Sequence, residues 1–246
     1  MMMLVMYVKK YGISMIKRLL DIFISAFGII FFFPFVSIAI FLVWIQDWKN
    51  PFYVAPRVGK DFVDFPMIKI RSMVYKADKS GVSSTSVNDS RITKIGSLIR
   101  KFKLDEITQL INVFLGQMSL VGPRPNVVSE VAGYTQAEKK LLSVRPGITD
   151  FSSIVFSDEG EILKNSKDPD HDYNILIRPW KSKLGLFYID NQNCSMDLKI
   201  ILYTIIGIAS KEKALNWVSK KIYETSQDKT LASICKRSIP LSSPAN

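Results

Sequence analysis

The sequence predicts an α/β, mostly helical fold: a single compact catalytic domain behind an N-terminal re-entrant membrane segment of helix–break–helix form. Three observations carry that expectation. Ile22–Ile45 holds 24 residues without a charge. Apolar residues recur at helical spacing in several later stretches, and Phe65–Ile70 reads as a short strand. The length, 246 residues, suits one domain of ordinary size plus an appendage. The implied division is 1–48 for the N-terminal segment and membrane hairpin, 49–225 for the catalytic domain, and 226–246 for a flexible tail.

The elements follow in order. Residues 1–18 scatter Lys9, Lys10, Lys17 and Arg18 among apolar residues. The uncharged run after them is long enough, as a helix, to cross a hydrocarbon core of about 30 Å. It is too long, and lacks the small-residue exit, for a removable signal peptide. A core helix is the bland alternative. Pro34 lies mid-run, where it removes a backbone hydrogen bond and bends or breaks a helix. Lys17 and Arg18 precede the run, and Lys49, Arg57 and Lys60 follow it, so both ends favour the cytoplasmic side. A helix that enters and leaves by one face fits both facts; a span kinked at proline is the alternative. Trp44 and Trp48 sit where interfacial anchors do.

Gly59–Asp61 reads as a turn, and the strand at Phe65–Ile70 leads into Lys69-Ile70-Arg71-Ser72-Met73, with Lys69 and Arg71 on one face. Lys76–Asp89 is Ser/Gly-rich and reads as a mobile loop. Ile92–Phe102 predicts a short amphipathic helix, Leu104–Leu115 a second ended by Gly116, Asn126–Val144 a third, and Met196–Ala209 a strongly apolar fourth. Asp158–Asp172 is acidic and turn-rich.

Composition narrows the chemistry. Hydrophobic residues make up 48% and mean hydropathy is +0.14, high for a domain without a membrane segment. The net charge of +11 asks for an anionic partner. The excess is concentrated: 11 Lys/Arg face 4 Asp/Glu between Arg57 and Lys103. Two cysteines, Cys194 and Cys235, form no framework, so a reducing compartment is the default. With one histidine, His171, no Cys/His zinc site can be assembled, and Ser-His-Asp or Cys-His catalysis would need His171 itself. Carboxylates, cations or a hard metal must run any reaction.

Those groups meet in Arg100–Pro125. Asp105-Glu106 stands at the start of a helical segment, behind Arg100, Lys101 and Lys103 and ahead of Gly122-Pro123-Arg124-Pro125. An acidic first turn is an ordinary helix start. Among these cations, however, Asp105 is expected to stay ionised with a low pKa and can attack phosphorus to give an acyl phosphate. Glu106, with Asp105, can hold Mg²⁺. Pro123 and Pro125 stiffen the loop that presents Arg124 to a phosphate.

At these residues the chain resembles the bacterial sugar transferase family, the monotopic polyprenyl-phosphate phosphoglycosyl transferases. The resemblance rests on Lys17-Arg18-Leu19-Leu20-Asp21, the run with Pro34, Arg57-Val58-Gly59, Lys69–Met73, Leu104-Asp105-Glu106, Asn112, Gly116, Met118–Pro125 and Arg145-Pro146-Gly147-Ile148-Thr149, across residues 16–210. It implies transfer of a sugar-1-phosphate from a UDP-sugar to undecaprenyl phosphate with release of UMP, the first membrane step of a surface glycan pathway such as exopolysaccharide or lipopolysaccharide. It implies Asp105 as nucleophile and Glu106 as Mg²⁺ ligand. Lys69, Arg71, Arg100 and Arg124 bind phosphate in this reading, and Arg145, Gly147 and Thr149 the nucleotide-sugar. It implies further a re-entrant helix broken at Pro34 in the bacterial inner membrane, with the catalytic domain on the cytoplasmic face among membrane lipids. A homodimer is left open, and nucleic acid is not an expected partner. Two departures stand out: Phe33 precedes the proline where the family often has Ser, and Asp150-Phe151-Ser152-Ser153 replaces a common Gly-Trp-Ala-Gln.

Rival readings are a metal-dependent nucleotide-sugar glycosyltransferase of another fold, prompted by Asp168-Pro169-Asp170-His171-Asp172, and a non-catalytic basic membrane or nucleic-acid-binding protein. The first lacks a buried strand before its acids. The second leaves Asp105-Glu106 without a task.

Overall fold

A computed structural model describes residues 2–80, 84–86 and 88–242. Helix α1 runs Met2–Asp47. An antiparallel hairpin follows, β1 (Phe52–Val58) and β2 (Asp64–Ile70), pairing Tyr53 with Lys69 and Arg57 with Phe65. Then come α2 (Lys94–Lys101), α3 (Leu104–Ile107) and α4 (Gln109–Phe114). Strands β3 (Ser119–Val121) and β4 (Gly147–Thr149) pair in parallel around α5 (Val128–Ala132) and a 3₁₀ turn at Glu138–Ser143. The remainder is helical: α6 (Phe151–Val155), α7 (Glu159–Ile162), α8 (Pro169–Asp172), α9 (Arg178–Asn191), α10 (Cys194–Ala209), α11 (Lys211–Ser226) and α12 (Lys229–Lys236).

The largest core gathers Phe151, Leu184, Tyr188, Ile200, Val218 and Ile234 from α6 and α9 through α12. Within it Tyr203 stacks on Trp217 at 4.2 Å between ring centroids, and Trp217 on Phe151 at 5.8 Å.

Helix α1 has two faces, as a 3.6-residue period allows. Asp21, Ser25, Ala39 and Val43 are buried against the domain, and a Cβ on Gly28 would meet Leu110 at 2.8 Å. The opposite face leaves Phe23, Phe27, Phe31, Phe35, Ile38 and Phe41 in the open. From Met15 to Asp47 the helix is long and apolar enough to cross a membrane. Leu198, Leu202, Ile205 and Ile208 add an uncovered stripe on α10. Uncovered apolar area on this scale suits a lipid surface.

Helical structure continues through Pro34, so the expected break there is not seen. A proline costs the helix one hydrogen bond and a clash one turn back, which a bend can absorb without ending it. Both flanks of the uncharged run of α1 are tied to the domain. Lys17 pairs with Asp197 at 2.5 Å, and Asp47 takes a bidentate grip from Arg71 at 2.6 and 2.7 Å.

Other expectations are corrected. Leu104–Leu115 is two short helices that meet at Thr108, and Asn126–Val144 splits at Gly133. The tail expected to be flexible carries α12, capped by the Asp228 side chain on Leu231 N, with Ala232, Ile234 and Cys235 buried. Residues 81–83 and 87 of the predicted mobile loop lie outside the described residues. The predictions at Phe65–Ile70, Ile92–Phe102 and Met196–Ala209 correspond to β2, α2 and α10.

Candidate active site

The acid pair is fixed to β2 by side chains that finish the strand's open edge. Thr108 Oγ1 donates to Ile68 O at 3.0 Å. Asn112 accepts from Ile68 N at 3.1 Å and donates to Pro66 O at 2.8 Å. Unpaired edge groups are costly when buried, so these bonds set the register of α3 and α4 against the hairpin. They bring Asp105 and Glu106 beside Lys69, one residue after Ile68. Lys103, at φ 57°, turns the chain into α3 in a left-handed conformation.

Arg124 arrives from the other side. Gly122 N donates to Thr149 O and Gly147 N to Pro123 O, locking the loop onto β4. The backbones touch so closely that a Cβ on Gly147 would lie 2.1 Å from Gly122 N. From that platform Arg124 reaches Glu106 with Nη2 on Oε1 at 2.6 Å and Nη1 on Oε2 at 3.4 Å; Nη1 also meets Ile148 O at 3.0 Å.

This pairing divides the charge unequally. Glu106 is held far below the usual carboxylate range: Arg124, Lys69 and Lys103 overcome the burial that opposes it. Asp105 moves upward, first by burial and then by Glu106's charge, with Lys69 and Arg100 only partly offsetting them. The expectation of a low Asp105 pKa is therefore reversed, because burial and the charge of Glu106 outweigh the nearby cations. Burial likewise pulls the Lys69 ammonium down, against the pull of Glu106.

Beyond Lys69 and Arg124 opens a cavity of about 170 Å³, walled also by Arg57, Met67, Asn126, Glu130, Tyr134, Asp150, Tyr173, Arg178 and Lys181. Three of its cations have acids of their own: Arg124 with Glu106, Arg178 with Glu130 and Glu138 at 3.6 Å each, and Lys181 with Glu159. Asp105 and Glu106 stand outside its wall, at the Lys69–Arg124 end.

The predicted residues divide. Asp105, Glu106, Lys69 and Arg124 come together, and Arg100 lies close enough to act on Asp105 electrostatically. Arg71 does not join them; it is buried on Asp47 and the carbonyl of Asn50. Arg145, Gly147 and Thr149 are not in the cavity wall. Arg145 Nε donates to Gly116 O at 2.8 Å, Gly147 packs on Gly122, and Thr149 Oγ1 meets Thr204 Oγ1 at 2.7 Å. Pro34 is exposed on α1. The acids of the rival motif are occupied elsewhere: Asp168 caps His171 N, and Asp170 accepts from Ser84 N.

Sequence reasoning missed the wall residues Arg57, Asn126, Glu130, Tyr134, Tyr173, Arg178 and Lys181. Arg57 had a signal, since it alternates on one strand face with Tyr53; only the pairing of Tyr53 with Lys69 reveals what that face looks into.

Residues 13–211 match the model of the bacterial sugar transferase family. The chain belongs to that family. An uncharacterized sugar transferase of Haemophilus influenzae is 30% identical over 83% of this chain and 43% of its own length. The exopolysaccharide production protein PSS of Rhizobium leguminosarum is 30% identical over 80% of this chain and 97% of its own. A UDP-glucose:undecaprenyl-phosphate glucose-1-phosphate transferase of Klebsiella pneumoniae is 33% identical over 79% of this chain and 40% of its own. The chain thus spans under half the length of the first and third relatives. Every residue of the acid–cation cluster in this sugar transferase lies inside the family match, whereas α12 and nearly all of α11 lie beyond it.

Proposed function

We propose that this sugar transferase moves a sugar-1-phosphate from a UDP-sugar to undecaprenyl phosphate and releases UMP, through a phosphosugar ester of Asp105. The observation that carries the reading is a carboxyl, Asp105, next to the Glu106–Arg124 pair and within the field of Lys69, with Lys69 and Arg124 both in the wall of a cation-rich cavity. The Klebsiella relative is named for this reaction with glucose.

In the first step an Asp105 carboxylate oxygen attacks the sugar-bearing phosphorus, and the bond to the UMP oxygen breaks. In the second, a phosphate oxygen of the acceptor lipid attacks the same phosphorus and frees the carboxylate. Asp105 must be ionised to attack, so the cations that oppose its upward shift, Lys69 first, are part of the task. Arg124 is oriented by Glu106 and Ile148 O toward phosphoryl oxygens.

Two adjacent carboxylates are hard oxygen donors, and Mg²⁺ is commonly held by one or two carboxylates together with substrate phosphates. Glu106 and Asp105 would be the residues to hold it. When bound there, Mg²⁺ would neutralise diphosphate charge.

Membrane association is one-sided in this reading, with both flanks of the uncharged run at the cytoplasmic face of the inner membrane and α1 bent at Pro34. The grip of one domain on Lys17 and on Asp47 supports it. Thirty residues of straight helix between them would span about 45 Å, more than a hydrocarbon core of about 30 Å.

Membrane-extracted protein incubated with UDP-sugars, Mg²⁺ and undecaprenyl phosphate should release UMP and show a phosphosugar adduct that Asp105→Asn abolishes. Full activity in that variant would remove Asp105 as nucleophile. Cysteines placed on either side of 22–45 should label from the same side; opposite sides would exclude the one-sided topology.

A further inference from the structure

Arg57 is a half-buried cation in the cavity wall that has no ion pair with a carboxylate among the described residues. It uses one donor, Nη1, on the carbonyl of neighbouring Pro56 at 3.0 Å. Glu130, the acid that most affects it after Tyr53, is committed to Asn126 Nδ2 at 2.9 Å and to Arg178. Of the five cations in the wall, Arg57 and Lys69 are thus the two whose charge is not taken by an ion pair among the described residues.

Strand geometry puts both on one face. Tyr53 pairs with Lys69 and Arg57 with Phe65, so Arg57, Met67 and Lys69 share the hairpin side that lines the cavity. Arg57 stands four residues along β1 from the Lys69 pair, roughly 13 Å by strand rise, on the side away from the end of α1. Lys69 adjoins the acids; Arg57 stands further along the same face.

We infer that Arg57 is a further binding residue for the donor, holding with its guanidinium the phosphate that stays with the nucleoside. This assignment rests on the proposed transfer reaction. There, the sugar-bearing phosphorus must lie at Asp105, beside Lys69, and the departing nucleoside phosphate extends into the cavity. A planar fork with four unused donors matches a phosphate's oxygens. The acceptor lipid's phosphate also reacts at Asp105, but its chain must run to the apolar α1 face, away from Arg57.

The test is kinetic and calorimetric, on the full chain. Arg57→Gln should raise the donor KM and the inhibition constant of UMP by about tenfold each, the usual scale for one charged hydrogen-bonding contact. The KM for undecaprenyl phosphate and the melting temperature should stay as in wild type. Arg57→Lys, with a point charge in place of the fork, should recover part of the loss, and carries the test if the Gln variant does not fold. Unchanged UMP binding in either variant would overturn the assignment, as would a rise in the acceptor KM equal to that for the donor. If wild type releases no UMP from any UDP-sugar, the transfer reading fails. The role of Arg57 is then decided by calorimetry with UMP alone: binding by wild type that Arg57→Gln abolishes upholds it, and absence of binding by wild type refutes it.

Discussion

Glu106→Gln isolates the electrostatic centre of the site. The substitution keeps shape and one acceptor oxygen but removes the charge that faces Arg124 at 2.6 Å. Removing one partner of a fully buried pair costs about 3–5 kcal/mol, because the other charge is left uncompensated. Here the side chains are 27% exposed for Arg124 and 18% for Glu106, and Ile148 O still accepts from Arg124, so a loss of about 2 kcal/mol is expected. For a chain of this size that lowers Tm by about 4–8 °C. The pH dependence has a definite sign. Glu106 is depressed in the folded chain, so its contribution is fully present above the unfolded carboxyl value and is lost as pH falls toward the folded one. Thermal unfolding in nanodiscs should therefore show a constant gap between variant and wild type from about pH 8 to pH 5, which narrows only below about pH 4. A gap under about 1 °C, or one that closes between pH 7 and pH 6, would refute the assignment of charge to Glu106.

Three further outcomes follow from named contacts. Because Asp105 is shifted upward, turnover should fall on its acid side at a pH above the ordinary aspartate range, and Asp105→Asn, which removes a charge that folding disfavours, should melt at or above wild type while inactive; a pH–rate profile and a melt check both. Arg71→Ala should cost about 2 kcal/mol, because Asp47, 29% exposed, stays partly solvated when stranded, yet leave the donor KM within about twofold, since Arg71 is bound to the end of α1 and not to the cavity. Gly147→Ala should abolish turnover and lower Tm by about 8 °C or more, because its Cβ would strike the Gly122 backbone that presents Arg124.

The parts of the site legible in the sequence were those that depend on local order. Asp105 and Glu106 are adjacent, Arg124 stands between two prolines, and the uncharged run Ile22–Ile45 announces a long apolar helix. What escaped was whatever depends on pairing between distant segments. Strand β1 contains Pro56 and has no clear alternation, so it reads as a loop until β2 lies beside it. Arg71 resembles a second phosphate cation on the face of Lys69, but it lies past the end of β2, where Asp47 claims it. Arg178 and Lys181 read as surface charges because their partners, Glu130, Glu138 and Glu159, are far away in the chain. The pKa inversion at Asp105 could not be read from the presence of cations alone. It required knowing how deeply Asp105 is buried beside Glu106.

The membrane helix and the site are mechanically one unit, and the bonds show why. Lys17 Nζ donates to Val121 O at 2.9 Å, one residue before the Gly122–Arg124 loop, and Asp21 Oδ1 accepts from Leu120 N at 2.9 Å. Tyr188 OH, bonded to Asp197 at 2.7 Å, completes the buried cluster that holds Lys17. At the far end, Asp47 binds Arg71, two residues after Lys69. Each cation beside the acid pair, Arg124 and Lys69, therefore sits within three residues of a clamp on α1. A displacement of either end of that helix must move one cation relative to Asp105, and orientation errors near 1 Å are enough to slow a phosphoryl transfer severely. Where α1 sits against the domain thus sets the geometry of the site.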